Sequence, residues 1–290
     1  MLRHLIITAD DFGLHEAVNE GIELASRAGI LTAASLMISG PAVEDAIRRA
    51  RRLPNLRVGL HLVLADGQAS LAPSQIPGIA DGRGYIDDAM VARSIRYFAS
   101  HSLRRQLEDE IRAQFSLFAR SGLTLDHVNV HKHFHLHPTI LGLLIRIASE
   151  FGARTVRVPN EPYWFAAAHA GPKAAVAAAL LKPWVLLMKQ RLRSAQFFYN
   201  DFIFGLSTSG LMGEEQLLGV LARLPLGITE IYLHPATLSG GAIAPTMRSY
   251  RHAGELAALL SPRVRSAIEA LNAQRGGYLD VLQQMGGSLA

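Results

Sequence analysis

The chain has 290 residues, is 49% hydrophobic but only 7% aromatic, and carries a formal charge of +5 with no cysteine. That length supports a full core, and the missing cysteine excludes a disulfide framework, zinc–thiolate sites and a cysteine nucleophile. The charge is spread out. Its densest cluster, Arg48-Arg49-Ala50-Arg51-Arg52, ends a helix-like stretch where cations suit the dipole, and no nucleic-acid signature accompanies it.

Leu5 to Ala9 reads as a short buried strand that ends in Asp10-Asp11-Phe12-Gly13. Ala17 to Ala28 reads as a helix stopped by Gly29, Thr32 to Ile38 as a second strand, and Val43 to Leu53 as a helix ended by Pro54. Arg57 to Val63 is a third strand and carries His61. Residues 66 to 88, rich in Gly, Pro and Asp, read as a long loop. Leu103 to Ser121 is amphipathic, with Leu107, Ile111, Phe115 and Phe118 on one stripe. The strand Thr124 to His131 follows, then a helix from Pro138 to about Glu150. Thr155 to Val158 is another short strand. Glu214 to Leu224 is a helix, Glu230 to Leu233 a strand ending in His234-Pro235, and Glu255 to Ala273 a helical tail before a Gly-rich end.

Strands alternating with helices predict parallel βαβ organisation in a single domain, residues 1–290. Asp10 and Asp11, His61, His131 and His234 all fall where strands finish, the end at which α/β barrels carry their chemistry. The apolar run at the start is too short for a signal segment, so a cytoplasmic start is expected. No uninterrupted apolar stretch reaches the roughly 18–20 residues of a spanning helix.

Five of the twelve histidines lie in one window: His127, His131, His133, His135 and His137. In an extended strand, residues two apart share a face about 6.6–6.8 Å apart. The last four would then span about 20 Å, too far for one ion whose bonds are about 2.0–2.1 Å. One or two of them can be ligands, those near the start of the run. Adjacent Asp10 and Asp11 would repel unless a cation joins them; the structural alternative is a helix N-cap pair. One Asp could hold a metal while the other serves as a base. His61 reads either as a ligand or as a satisfied core histidine, and His234 either as a general acid or as a turn residue.

At these residues the sequence resembles the YdjC-like carbohydrate deacetylases. The matching pieces are Thr8-Ala-Asp-Asp-Phe-Gly-Leu14, Gly29-Ile-Leu-Thr-Ala-Ala-Ser35, Gly59-Leu-His-Leu62, His127-Val-Asn-Val-His-Lys-His-Phe-His135 with Pro138, and Leu233-His-Pro-Ala236. The resemblance implies an irregular, TIM-like (β/α) barrel related to polysaccharide deacetylases, and removal of an acetyl group from an N-acetylated sugar. It implies Asp11, His61 and His131 as ligands of one divalent ion, zinc first, with magnesium, manganese, cobalt or nickel open. It implies Asp10 as base and His234 as acid. Arg157, His133, His135 and Phe12 are taken as residues meeting the substrate, Arg157 either orienting the base or contacting sugar. Relatives often carry Asp where this chain has Asn129, which brings no charge.

Arg157-Val-Pro-Asn-Glu-Pro162, Asp201-Phe-Ile-Phe-Gly205 and an apolar insertion at about 166–200 resemble the subgroup associated with hopanoid biosynthesis, which implies a lipid-linked N-acetylglucosaminyl substrate. Within that insertion, two apolar runs flank Lys182-Pro183, amid Lys173, Lys189, Arg191 and Arg193. They read as an interfacial helix pair that meets the inner face of a membrane, or as a buried or homodimer surface. A multi-metal phosphoesterase and a non-catalytic sugar- or lipid-binding protein are the competing readings.

Overall fold

The computed structural model describes residues 2–238 and 242–286. Nine strands occur among them: β1 (Arg3–Phe12), β2 (Ala33–Leu36), β3 (Arg57–Leu62), β4 (Gly67–Gln68), β5 (Tyr85–Ile86), β6 (Leu125–Val130), β7 (Phe202–Phe204), β8 (Gly227–Leu233) and β9 (Gln274–Arg275). The main sheet runs β6-β3-β2-β1-β8-β7, all parallel, with β9 also paired to β1. Residues 155–156 make parallel bridges to Val128 of β6 and to Phe198 ahead of β7. They curl the sheet into an irregular (β/α) barrel. Because β1, β3, β6 and β8 run in the same direction, their C-terminal ends share one rim.

Helices cover the outer face. In His101–Arg120 the residues Leu103, Leu107, Ile111, Phe115 and Phe118 are buried, at the spacing that places them on one stripe. Each such side chain contributes roughly 1.5–3 kcal/mol when fully buried. That outweighs the few tenths by which residues differ in helix propensity. Ser100 caps this helix, its side chain accepting from Leu103 N.

Several boundaries differ from the sequence reading. The strand carrying the histidines ends at Val130, and His131–Leu136 form a 3₁₀ turn with Lys132 and His133 both at φ 55°. The alternating histidines therefore do not share one extended face. Residues 66–88 include the β4–β5 ribbon rather than loop alone. Lys182-Pro183 does not break the apolar insertion: after Tyr163–Ala170, one helix runs from Pro172 to Ser194 through Pro183. A proline forfeits a ladder hydrogen bond, but buried Val185, Met188 and Leu192 anchor the helix beyond it. The tail divides at Ser261-Pro262 into two helices, since the residue before proline avoids helical geometry. Two further helices, Met90–Ala99 and Tyr278–Gln284, lie outside the elements read from sequence, and the second buries Tyr278 completely.

Candidate metal centre and active site

Successive side chains of a regular strand point to opposite faces, so Asp10 and Asp11 could not both reach one site. The pairing of β1 with β2 slips between Ala9 and Phe12, and Asp11 sits at φ 64°. Asp tolerates this left-handed geometry better than most residues. The irregularity brings Asp10 against Asn129 and Arg157, and Asp11 against His61 and His131.

His61 Nε2 lies 3.2 Å from His131 Nδ1 and 3.4 Å from Asp11 Oδ1, and His131 Nδ1 lies 3.5 Å from the same oxygen. Atoms bound tetrahedrally to one zinc at about 2.0–2.1 Å sit roughly 3.3–3.4 Å apart, so the three donors already have the separation one ion requires. Both Asp11 oxygens are buried without a hydrogen-bond partner, a costly state that a cation relieves. Asp10 and Asp11 are adjacent buried carboxylates, and the Arg157 guanidinium pairs with Asp10 but not with Asp11, whose charge is left for a cation to balance. The donor set fits the expected metal. Among the described residues no second group of three such ligands converges.

Arg157, wholly buried, is the hub of the charge network. Its NH1 and NH2 donate to Asp10 at 2.5 and 2.9 Å, and its Nε and NH2 donate to Glu230 at 2.9 and 2.8 Å. Glu230 also accepts from Thr8 Oγ1 and Tyr278 OH at 2.6 and 2.5 Å. Burial disfavours an ionised Asp10, yet Arg157 and then His61 outweigh it and hold the carboxyl well below the usual range. Burial also raises Asp11, but the adjacent His131 and His61 rings outweigh it and leave this carboxyl well below the usual range too.

His234 faces this group from the end of β8, with Nε2 3.9 Å from Asp11 Oδ2 and Nδ1 3.8 Å from Glu255 Oε2. Burial pulls its imidazole down despite the carboxylates. Glu255 accepts from the backbone N–H of His234 and of Met212, and burial pushes its carboxyl up to about 7. Asp10, His61, His131, His133, Tyr232 and His234 border a common cavity of about 200 Å³.

Two of the four residues expected at the substrate lie elsewhere. Phe12 is fully buried in the apolar core. His135 is fully buried too, bonded through Nε2 to the Arg157 carbonyl, and burial takes it down to about 4. Arg157 has no exposed surface, and its guanidinium is taken up by Asp10 and Glu230. His133 borders the cavity and bonds Tyr232 OH at 3.1 Å. Sequence reasoning misses Glu230, Tyr232 and Glu255. The available signal for the first is a charged residue amid the apolar strand Ile228-Thr-Glu-Ile-Tyr-Leu233.

A family model described as YdjC-like protein matches residues 4–270. The chain belongs to the YdjC-like protein family. This YdjC-like chain is 29% identical over 283 residues to a carbohydrate deacetylase of Geobacillus stearothermophilus, covering 96% of both. It is 28% identical over 243 residues to one from Thermoanaerobacter pseudethanolicus, covering 81% of this chain and 82% of that one. A third, from Brevibacillus brevis, is 38% identical over 160 residues, 55% of this YdjC-like chain; the match spans 59% of that relative's length. In fold, the YdjC-like chain matches a crystal structure from Enterococcus faecalis V583 named for cellobiose-phosphate cleavage, with TM-score 0.74 and 22% identity, over 97% of this chain and 99% of that one.

Proposed function

We propose that this chain is a metal-dependent hydrolase that removes the N-acetyl group from an acetylated amino sugar. The observation that carries the reading is the convergence of Asp11, His61 and His131 donors at 3.2–3.5 Å beside a separately held carboxylate, Asp10. The relatives named carbohydrate deacetylase supply the substrate class. A divalent ion, zinc first, would be held by Asp11, His61 and His131 and would act as a Lewis acid toward an amide carbonyl and water.

Asp10 is the base. Its lowered pKa keeps it ionised at working pH, and the Arg157 fork fixes its orientation. A base this acidic does not retain the proton it takes from water; that proton goes to His234, whose imidazole, lowered by burial, needs one before it can act as an acid. His234, across the same cavity, delivers a proton to the leaving amine nitrogen. His133 and Tyr232 form the wall against which the sugar is positioned. The multi-metal phosphoesterase reading lacks a second ligand cluster among the described residues.

We further propose a lipid-linked substrate, an N-acetylglucosaminyl hopanoid, taken up by a single-domain cytoplasmic enzyme at the inner face of a membrane. Support comes from a cavity of about 680 Å³ bordered by Trp164, Lys182, Phe202 and Arg223. A second cavity, of about 160 Å³, shares Lys182 with it and Leu206 with the metal-site cavity. No helix among the described residues is long and apolar enough to cross a membrane.

The test is acetate release from soluble N-acetylglucosamine conjugates and from N-acetylglucosaminyl lipids, with zinc supplied or chelated. Zinc-dependent release is expected. No release from any conjugate, with tight binding retained, would leave a sugar- or lipid-binding protein instead.

A further inference from the structure

Asn129 lies fully buried in β6 between the metal cluster and the base. Its Oδ1 is 2.7 Å from His61 Nδ1, and its Nδ2 is 2.9 Å from Ser35 Oγ and 3.2 Å from Asp10 Oδ1. The chain of contacts continues. Ser35 Oγ is 2.9 Å from His127 Nε2, and His127 Nδ1 is 2.9 Å from Asp126 Oδ2. Asp126 also accepts from the backbone N–H groups of Tyr278 and Leu279, both at 3.0 Å.

The direction of each bond follows from what each group can do. A carboxylate only accepts, so the amide must turn its NH₂ toward Asp10, and the reverse rotamer would aim a carbonyl at that charge. The same NH₂ then donates to Ser35. The Ser35 hydroxyl hydrogen is left for His127 Nε2, and His127 Nδ1 donates to Asp126. With its NH₂ committed, Asn129 can offer His61 only its carbonyl oxygen, so His61 must carry its hydrogen on Nδ1. In the neutral ring the lone pair is then on Nε2, the atom 3.2 Å from His131 and 3.4 Å from Asp11.

The far end of this chain is rigid. The His127 ring stacks on Tyr278 with centroids 5.0 Å apart, and a Cβ on Gly59 would lie 2.5 Å from the ring. Glycine two residues before His61 therefore gives His127 the space it fills.

We infer that Asn129 is a positioning residue: with its NH₂ committed to Asp10, it fixes His61 as the Nδ1–H tautomer with Nε2 turned to Asp11 and His131, and it restrains Asp10, while Ser35, His127 and Asp126 pack behind it. The inference rests on the metal-centre reading. Partners of this kind orient metal-ligating histidines and typically govern 10–100-fold in metal affinity.

Two variants divide the two roles. Asn129→Leu removes both; Asn129→Asp keeps an acceptor for His61 but loses both donors and sets a second carboxylate against Asp10. Long-range ¹⁵N correlation spectra of the metal-free protein report the His61 tautomer, and competition with a chelator reports Zn²⁺ affinity. In Asn129→Leu the Nδ1–H preference should disappear and Zn²⁺ affinity fall 10–100-fold. In Asn129→Asp the tautomer and affinity should stay within about threefold of the parent, while acetate release falls by more than tenfold. Ser35→Ala, which keeps the His61 contact, should hold the tautomer as Asn129→Asp does, and it carries the test with that variant if Asn129→Leu does not fold. Retention of the parental tautomer and affinity in Asn129→Leu overturns the inference, as does their loss in Asn129→Asp. Failure of the parent to bind Zn²⁺ sinks the metal-centre reading alone, because the tautomer measurement stands without metal.

Discussion

Asp10 and Asp11 are consecutive residues of β1, yet they serve different partners: Asp10 lies in the fork of Arg157, and Asp11 lies 3.4–3.5 Å from His61 and His131. The slipped pairing at the end of β1 and the positive φ of Asp11 make this division possible. Two acids of the same intrinsic strength, in the same strand, meet different surroundings, and the proposed function assigns one the role of base and the other that of metal ligand.

The division predicts different failures. Asp10→Asn should retain one ion per chain and lose turnover by about 10²–10⁴-fold, the usual worth of a positioned proton acceptor. Asp11→Asn should lose the ion itself. Elemental analysis beside an acetate-release assay checks both, and normal turnover in Asp10→Asn would remove Asp10 from the mechanism.

Arg157 should matter to acid stability as well as to rate. The Asp10 carboxyl is held below its unfolded value of about 3.9. Its stabilising contribution is therefore complete above about pH 4 and drains away as pH falls through the lower folded value. In Arg157→Met the burial of Asp10 is no longer opposed by the guanidinium, so acid unfolding should begin at a higher pH. Breaking a buried pair on one side costs about 3–5 kcal/mol, measurable as a drop in the urea midpoint at pH 7. An unchanged acid transition would show that Arg157 does not hold Asp10 ionised.

Glu255 should act with the opposite sign. Its folded value of about 7 lies above the ordinary 4.5, so the native state keeps a proton that the unfolded chain has released. Its contribution to stability is complete below about pH 4.5 and is lost as pH rises toward 7. Glu255→Gln keeps the shape without the titration and should flatten stability between those limits. Denaturant titrations at pH 5, 6 and 7 test this, and equal slopes in parent and variant would rule it out.

Much of the site is legible in the sequence because strand ends are legible. Apolar runs terminated by Asp10-Asp11, His61, His131 and His234 place polar groups on one rim whatever the details of closure. The shape of the histidine run is not legible, since nothing in His131-Lys-His-Phe-His-Leu136 announces that Lys132 and His133 adopt left-handed geometry. The role of Arg157 needs the third dimension, because its partners Asp10 and Glu230 lie 147 and 73 residues away. Phe12 misleads for a related reason: the motif places it beside Asp11, but its side chain turns into the core. The insertion is legible as apolar, and its unbroken passage through Pro183 is not.

That insertion supports a last prediction. Val176, Leu180, Trp184 and Leu187 follow one another at helical spacing and are all exposed, Leu180 at 70%. Lys173 and Arg193 are exposed on the same helix, while Lys182, Lys189 and Arg191 donate to Asn160 and to the carbonyls of Asp201 and Pro138. An apolar stripe with cationic neighbours suits an anionic lipid surface, to which each nearby cation contributes about 1 kcal/mol. Leu180→Ser combined with Trp184→Ser should lower co-sedimentation with phosphatidylserine-containing vesicles by about tenfold or more, as lost burial of two large side chains requires. Acetate release from a soluble conjugate should stay at the parental rate. Added salt should weaken the parent's vesicle binding by screening the cationic part. Undiminished vesicle binding in the double variant would assign the stripe to another surface, and concentration-dependent mass in light scattering, abolished by the same substitutions, would assign it to a second copy of the chain.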